Sequence, residues 1–145
     1  MQLSTKVRYS VRLMIDLAIY GAKGSVLLRN ISKRQGVSEK YLGHLVPLLK
    51  SAGLITTMRG AKGGFALLRP PVAITLKDIM VAVDGPICLA GCTQGVERCK
   101  EIGLCIAGDF WGEATNALVK VFEAFTLEGL AQRQQNHEDA SNYVI

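Results

Sequence analysis

The first twenty residues place apolar side chains at the spacing of one face of an α-helix. These positions are Val7, Val11, Ile15 and Ala18. Ser4 or Thr5 can cap the N-terminus of this helix, and Gly21, directly after Tyr20, indicates its end. The pattern therefore predicts a first helix that reaches about Tyr20.

The next segment predicts two short helices joined by a tight turn. Gly36 suits the residue that follows a helix, and Ser38 can cap the helix that comes next. Within that second helix, Pro47 predicts a kink. The apolar face of the second helix consists of Leu42, Leu45 and Leu49. A helix, a glycine turn and a serine-capped helix together form the pattern of a helix-turn-helix.

Two runs of β-branched and apolar residues follow, at 54–59 and 65–69. The basic, glycine-rich stretch between them predicts a hairpin with a flexible tip. Directly after a helix-turn-helix, such a hairpin is a wing. Thr75 can then cap a further helix over 76–83, and Asp84-Gly85-Pro86 indicates its end.

From about residue 106 the pattern is helical again, and five apolar positions recur at alternating steps of three and four. They are Trp111, Ala114, Leu118, Val121 and Phe125. This heptad seam favours pairing with the same helix of a second subunit over packing against the chain's own domain. Residues 126–130 predict a short terminal turn, and the polar residues after it predict a mobile tail.

We therefore expect a mainly α fold with a small β-hairpin wing, in four parts. A winged helix-turn-helix domain would occupy 1–84, a cysteine-containing loop 85–105, a dimerisation helix with its terminal turn 106–131, and a polar tail 132–145. No apolar run approaches the roughly 18 residues of a membrane span. No cleavable targeting segment is apparent, so we expect a cytoplasmic protein without membrane contact.

The net charge of +5 conceals a division between the two halves of the chain. Residues 1–80 contain thirteen Lys and Arg and three acidic residues, which gives +10. Residues 81–145 contain four Lys and Arg and nine acidic residues, which gives −5. Such a basic half is typical of proteins that bind nucleic acids, although an ordinary solvated surface can also carry it.

All four cysteines, Cys88, Cys92, Cys99 and Cys105, lie within eighteen residues. A secreted disulfide framework would be spread along the chain, so it is disfavoured. Structural zinc prefers closely spaced pairs, and only the first two cysteines are spaced in that way. The wider gaps favour an iron–sulfur cluster over zinc and over redox-active or inert thiols.

The winged helix-turn-helix also predicts which residues contact double-stranded DNA. The helix that starts at Ser38 would enter the major groove, with Lys40, Tyr41 and His44 among its outward residues. Tyr41 and His44 could contact bases or phosphates, or could merely pack. At the wing tip, Arg59 and Lys62 would reach the minor groove. Arg8 and Arg34 would contact phosphates.

These segments together resemble a family of small winged-helix regulators that includes IscR, NsrR, RirA and CymR. The resemblance covers residues 1 to about 132. It is carried by Leu-Ser-Thr-Lys-Val-Arg-Tyr at 3–9, Ile-Ser-Lys-Arg-Gln-Gly-Val-Ser at 31–38, Tyr41-Leu42, Arg-Gly-Ala-Lys-Gly-Gly-Phe at 59–65, three of the cysteines, Trp111 and Thr-Leu-Glu-Gly-Leu at 126–130. It implies a homodimeric transcription factor with a long crossing helix. In many members, an iron–sulfur cluster controls transcription.

The resemblance assigns Cys92, Cys99 and Cys105 to the family's cluster ligands. The gap between the first two is six residues, where the family commonly has five. IscR-like members have a histidine ligand three residues after the last cysteine, where this chain has Gly108. Cys88 is the obvious replacement, so we hypothesise ligation by four cysteines. Asp109 or a small external ligand are the alternatives.

The sequence thus predicts a dimeric regulator that binds pseudo-palindromic DNA under the control of an iron–sulfur cluster, with [2Fe–2S] favoured over [4Fe–4S]. A zinc-stabilised or thiol-switch DNA-binding protein is the alternative, and an electron carrier is disfavoured. No nucleophile and base are paired in a catalytic pattern, so we expect no enzyme.

Overall fold

Six α-helices and one β-hairpin make up the computed structural model, which describes residues 2–61, 63–91 and 105–143. The elements in chain order are α1 (Thr5–Tyr20), α2 (Leu28–Gln35), α3 (Glu39–Ser51), β1 (Ile55–Met58), β2 (Gly64–Leu67), α4 (Leu76–Asp84), α5 (Ile106–Ala124) and α6 (Leu127–Asn142). This confirms the predicted mainly α fold with a hairpin wing. None of the described helices is both long enough and apolar enough to span a bilayer.

Two predicted helix caps are present, one at the start of α1 and one at the start of α3. The Ser4 side chain accepts the backbone N–H of Val7 at the start of α1, and Ser38 accepts that of Tyr41 at the start of α3. Gly36 adopts the left-handed conformation, with φ 63° and ψ 35°, after the last residue of α2. The predicted turn between the two helices is therefore confirmed, and α3 continues through Pro47.

The hairpin is antiparallel and gains a third partner from the segment before α2. Its register pairs Ile55 with Leu67 and Met58 with Gly64. The N–H of Val26 donates to the Phe65 carbonyl at 2.9 Å, and the N–H of Phe65 donates back at 2.8 Å. Because a Cβ on Gly64 would lie 2.4 Å from the Val26 carbonyl oxygen, only glycine allows this close approach.

The centre of the core is α1, which packs against α2, α3, α4 and α6. Its fully buried apolar side chains are Leu13, Met14 and Leu17, and the other elements contribute Ile31, Leu42, Leu45, Leu49, Leu54, Ile55, Ile74, Ile79 and Leu127. Of the face predicted for α1, Val7 is buried, whereas the other three positions are only half-buried. The predicted face was therefore incomplete, because a helix surrounded by four others is buried on more than one side.

The predicted short terminal turn was wrong, because α6 extends to Asn142. Thr126 caps this helix by accepting the N–H of Gly129, and Leu127 and Ala131 are buried where α6 packs on α1. From 132 to 143 the side chains are exposed, as their polarity predicted, but many belong to good helix formers. One of them, Gln134, also donates to Glu138 one turn later. Polarity alone therefore did not reveal the helix.

Candidate nucleic-acid interface and cysteine site

The exposed face of α3 begins at its N-terminus. Lys40 and His44 are exposed, as is Ser38 at the cap. Gly43 lies between them, and nothing stands within 4 Å of the place where its Cβ would be. This face is therefore open for approach by a large partner.

Tyr41 points away from that open face and is half-buried. Its ring meets that of Tyr9 edge to face, with 5.6 Å between the centroids. The contact links α3 to α1 and gives Tyr41 a packing role. Its predicted contact with DNA stays a prediction.

Two further basic residues predicted to bind DNA, Arg8 on α1 and Arg59 after β1, are exposed. Lys62, predicted at the wing tip, lies outside the described residues. The wing is held against α3 by the Lys50 ammonium group, which donates to the Thr57 hydroxyl at 2.8 Å. The position of the wing relative to α3 is thus fixed by a side-chain contact as well as by the chain.

Arg34, predicted to contact phosphate, lies at the surface and forms an ion pair with a buried carboxylate. Its guanidinium donates to both carboxylate oxygens of Asp16, at 2.9 and 2.6 Å. The Asp16 side chain is fully buried, and Gln35 gives it a third hydrogen bond at 3.0 Å. The guanidinium also stacks 3.9 Å from the centre of the Tyr20 ring. These contacts give Arg34 a structural role, and its predicted contact with phosphate stays a prediction.

Contacts within this network act on Arg34 and extend to Arg12. The hydrogen bond from Arg34 to Asp16 raises the pKa of the guanidinium above its ordinary value. Arg12 extends the network, because its Nε donates to the Gln35 side chain at 3.0 Å and its Nη2 to the Gln35 carbonyl at 2.6 Å. The last turn of α2 is thus attached to α1 at several points.

Two of the four cysteines lie in the described residues, and both are half-buried thiols. Cys88 follows α4, and its sulfur lies 2.6 Å from the Ala90 carbonyl oxygen. Cys105 directly precedes α5. Cys92 and Cys99 lie outside the described residues. Within the part of the chain that is described, no three His, Cys, Asp or Glu residues are grouped as a metal site.

Cys88 borders a cleft of about 410 Å³ between the start of α1, the end of α4 and α5. Its lining includes Val7, Met80, Leu118 and Phe122, so the walls near the thiol are largely apolar. The cleft therefore places Cys88 beside the long helix α5.

The long helix α5 leaves large apolar side chains in solvent. Ile106 is 86% exposed, Phe110 63%, Trp111 43% and Val121 51%. Two members of the predicted seam, Trp111 and Val121, belong to this exposed set. The other three, Ala114, Leu118 and Phe125, are half-buried within the chain. The predicted seam thus combined residues that face outward with residues that face the chain's own body.

Among the described residues, the fold buries three polar residues that sequence reasoning did not single out: Ser10, Asp16 and Thr115. For Asp16 the available signal was an isolated acid in an apolar helix, in a half of the chain rich in Arg and Lys. For Thr115 there was no comparable signal, because one of its two partners, Leu89, belongs to a different segment.

A family model described as Rrf2, iron-dependent transcriptional regulator, matches residues 3–133. The chain belongs to the Rrf2 family. The fold agrees with this assignment. The structure of CymR, the global cysteine regulator of Bacillus subtilis, superimposes with a TM-score of 0.76 over 92% of this chain and 98% of CymR, at 34% identity. The structure of IscR from T. potens gives a TM-score of 0.74 over 92% and 88% of the two chains, at 31% identity.

Curated sequences of the Rrf2 family agree with this assignment. The chain is 34% identical to the B. subtilis transcriptional regulator CymR over all of both proteins. It is also 34% identical to protein Rrf2 of Nitratidesulfovibrio vulgaris, over 90% of this chain and 87% of that one. The family and its relatives are named as transcriptional regulators and not as enzymes. The expectation that the chain is a regulator rather than an enzyme is therefore confirmed.

Replacing Arg34 with Ala should destabilise the protein, because it leaves the Asp16 carboxylate buried with fewer partners. We expect a loss of about 3 kcal/mol in the free energy of unfolding. This value is at the low end of the range for broken buried ion pairs, because Arg34 is itself partly exposed. Urea denaturation followed by circular dichroism measures it. Arg29→Ala, an exposed position on the same helix, is the control and should change stability by less than about 1 kcal/mol. Equal effects of the two substitutions would contradict the structural role of Arg34.

Proposed function

We propose that this Rrf2-family regulator binds pseudo-palindromic double-stranded DNA as a homodimer, and that an iron–sulfur cluster in its cysteine segment controls its affinity for DNA. One observation carries the proposal. The segment that contains the cysteines connects α4, which packs on α3, to α5, whose apolar side chains are exposed. The helix α4 therefore contacts both α3 and α5, and the cysteine segment lies between α4 and α5 in the chain.

The proposed DNA contacts begin at the open face of α3. Lys40 and His44 would meet base edges or phosphates in the major groove, close to the helix N-terminus at Ser38. Arg59 would reach the minor groove, together with Lys62, and Arg8 would contact phosphate. The charge of +10 over residues 1–80 supports this assignment, because most of the affinity of such proteins comes from the DNA backbone.

The proposed dimer contact is the exposed face of α5. Ile106, Phe110, Ala117 and Val121 follow one another at steps of four, seven and four, so they share one side of the helix. Only Thr115 is buried among the nineteen residues of α5. A helix with so little of its surface buried needs a partner, and a second copy of α5 would supply one.

Replacing Val121 with Glu should separate the dimer, since it would place two carboxylates inside an apolar interface. We expect the dimer dissociation constant to rise by about 100-fold, equivalent to a cost of about 3 kcal/mol. Sedimentation velocity over a range of concentrations measures it. Val72→Glu is the matched control, because Val72 is a similarly exposed valine outside α5, at 57% against 51%. Unchanged association of the Val121 variant would exclude this face as the interface.

Thiolates are the usual ligands of iron–sulfur clusters, and the chain offers four. Cys92, Cys99 and Cys105 are assigned by the family resemblance, and we propose Cys88 as the fourth ligand. The two described thiols fit this role. They stand at opposite ends of the connection between α4 and α5, and Cys105 adjoins the free N–H groups that begin α5, which favour nearby negative charge. Of the two common cluster types, we favour [2Fe–2S]. We also propose that the protein acts in the cytoplasm, where thiols remain reduced.

When bound, the cluster supplies a centre that responds to oxidants, iron supply or nitric oxide. The protein's own part is mechanical. Four bound thiolates would restrain the connection between α4 and α5, and this would set how α5 lies against α4. Because α4 also packs on α3, a change in the segment would alter the spacing of the two recognition helices in the dimer. DNA affinity would follow that spacing.

The alternative is a regulator that uses its thiols without a cluster, through zinc or a thiol switch. CymR is described as a cysteine regulator, and the similarity to it over the full length of both chains favours this second candidate. Metal analysis of protein purified without oxygen distinguishes the two. A cluster gives iron and sulfide in equal amounts with visible absorption, whereas a zinc protein contains neither sulfide nor colour.

Replacing Cys88 with Ala should remove most of the cluster, because it takes away one of four ligands. We expect about two iron and two sulfide per chain in the parent protein and less than half of that in the variant. Gly108→His offers a direct rescue. Nothing stands within 4 Å of the Cβ position at Gly108, so a histidine can be accommodated there. The double variant Cys88→Ala/Gly108→His should regain iron with a shifted spectrum. A full, unaltered cluster in Cys88→Ala would exclude Cys88 as a ligand.

A further inference from the structure

Thr115 is the one buried residue of α5, with 8% of its surface exposed. Its hydroxyl donates to the Trp111 carbonyl one turn earlier, at 2.8 Å. The same oxygen accepts the backbone N–H of Leu89, at 3.3 Å. Thr115 therefore joins α5 to the segment that follows α4.

The N–H of Leu89 belongs to the peptide unit that begins at the carbonyl of Cys88. That unit is planar and rigid, so a displacement of Cys88 also reorients the N–H that Thr115 accepts. On the other side, Thr115 bonds to the backbone of Trp111, whose side chain is 43% exposed on α5. The Thr115 hydroxyl is therefore hydrogen-bonded both to the residue after Cys88 and to the backbone of an exposed residue of α5.

Two ion pairs described around α4 are more exposed than Thr115. Lys6 pairs with Asp84 at 3.2 Å, with side chains 52% and 36% exposed, and Lys77 on α4 pairs with Glu123 on α5, with side chains 37% and 46% exposed. Exposed ion pairs contribute little and are screened by salt. The contacts around Phe122 and Leu118 in the adjoining cleft are apolar and therefore not directional. The hydrogen bond of Thr115 is both directional and protected from solvent.

We propose that Thr115 is the positioning residue that transmits the state of the cysteine segment to α5. This inference rests on the proposed function. With the Cys88 thiolate engaged as a ligand, the peptide unit of Leu89 is held in place for its bond to Thr115, and α5 is held in one register against α4. With the thiolate released, that bond is lost and α5 is free to shift.

The test compares Thr115→Val with Thr115→Ser. Valine keeps the branched shape but removes the hydroxyl, and the Trp111 carbonyl still accepts the helical N–H of residue 115. Serine keeps the hydroxyl. For each protein we would measure the ratio of DNA dissociation constants with and without the cluster, at one salt concentration. The probe is a duplex selected by the parent protein from a random-sequence library.

We expect Thr115→Val to load iron as the parent does. The difference between its DNA dissociation constants with and without the cluster should be about three- to tenfold smaller than in the parent, which is the range that one neutral hydrogen bond can supply. Thr115→Ser should keep the ratio. A parental ratio in Thr115→Val, or failure of that variant to load iron, would overturn the inference. A ratio of one in the parent itself would overturn the proposed function as well, which separates the two failures.

A second measurement does not require the valine variant to fold. Hydrogen exchange of the Leu89 amide in the parent protein should be at least about tenfold slower with the cluster than without it, because its bond to Thr115 is then maintained. Thr115→Ser should show the same difference. Equal exchange in the two states would overturn the role of Thr115.

Discussion

A buried carboxylate, that of Asp16, sets the arrangement on which the rest of the structure depends. A charge without solvent access must be paired, and its partners Arg34 and Gln35 both come from the last turn of α2. The pairing fixes that turn against α1. The left-handed Gly36 and the Ser38 cap then determine where α3 begins, so the position of the recognition helix follows from the ion pair.

The other half of the molecule is organised by α4, which contacts α1, α3 and α5. It ends directly before the cysteine segment, and α5 begins directly after that segment. The basic N-terminal half and the acidic remainder therefore meet at α4. Because α4 packs on both α3 and α5, the helix proposed to bind DNA and the helix proposed to form the dimer are joined through packed helices.

Features determined by neighbouring residues could be predicted from the sequence, and features determined by distant contacts could not. The helix caps at Ser4, Ser38 and Thr75, the glycine turn and the hairpin all depend on a few adjacent residues, and all are present. The burial of Asp16 and the bond between Thr115 and Leu89 depend on packing between segments. No period or spacing in the chain reveals such contacts.

The family assignment shows that the chain is a transcriptional regulator, and we propose that its cysteine segment controls its affinity for DNA. The most direct test is the DNA affinity of the parent protein with and without its cluster, at one salt concentration near 0.15 M (about 8 Å of screening length). Duplexes selected separately by each form serve as probes. Control through the segment predicts dissociation constants that differ by about tenfold or more on at least one duplex. Equal constants on both duplexes would contradict it.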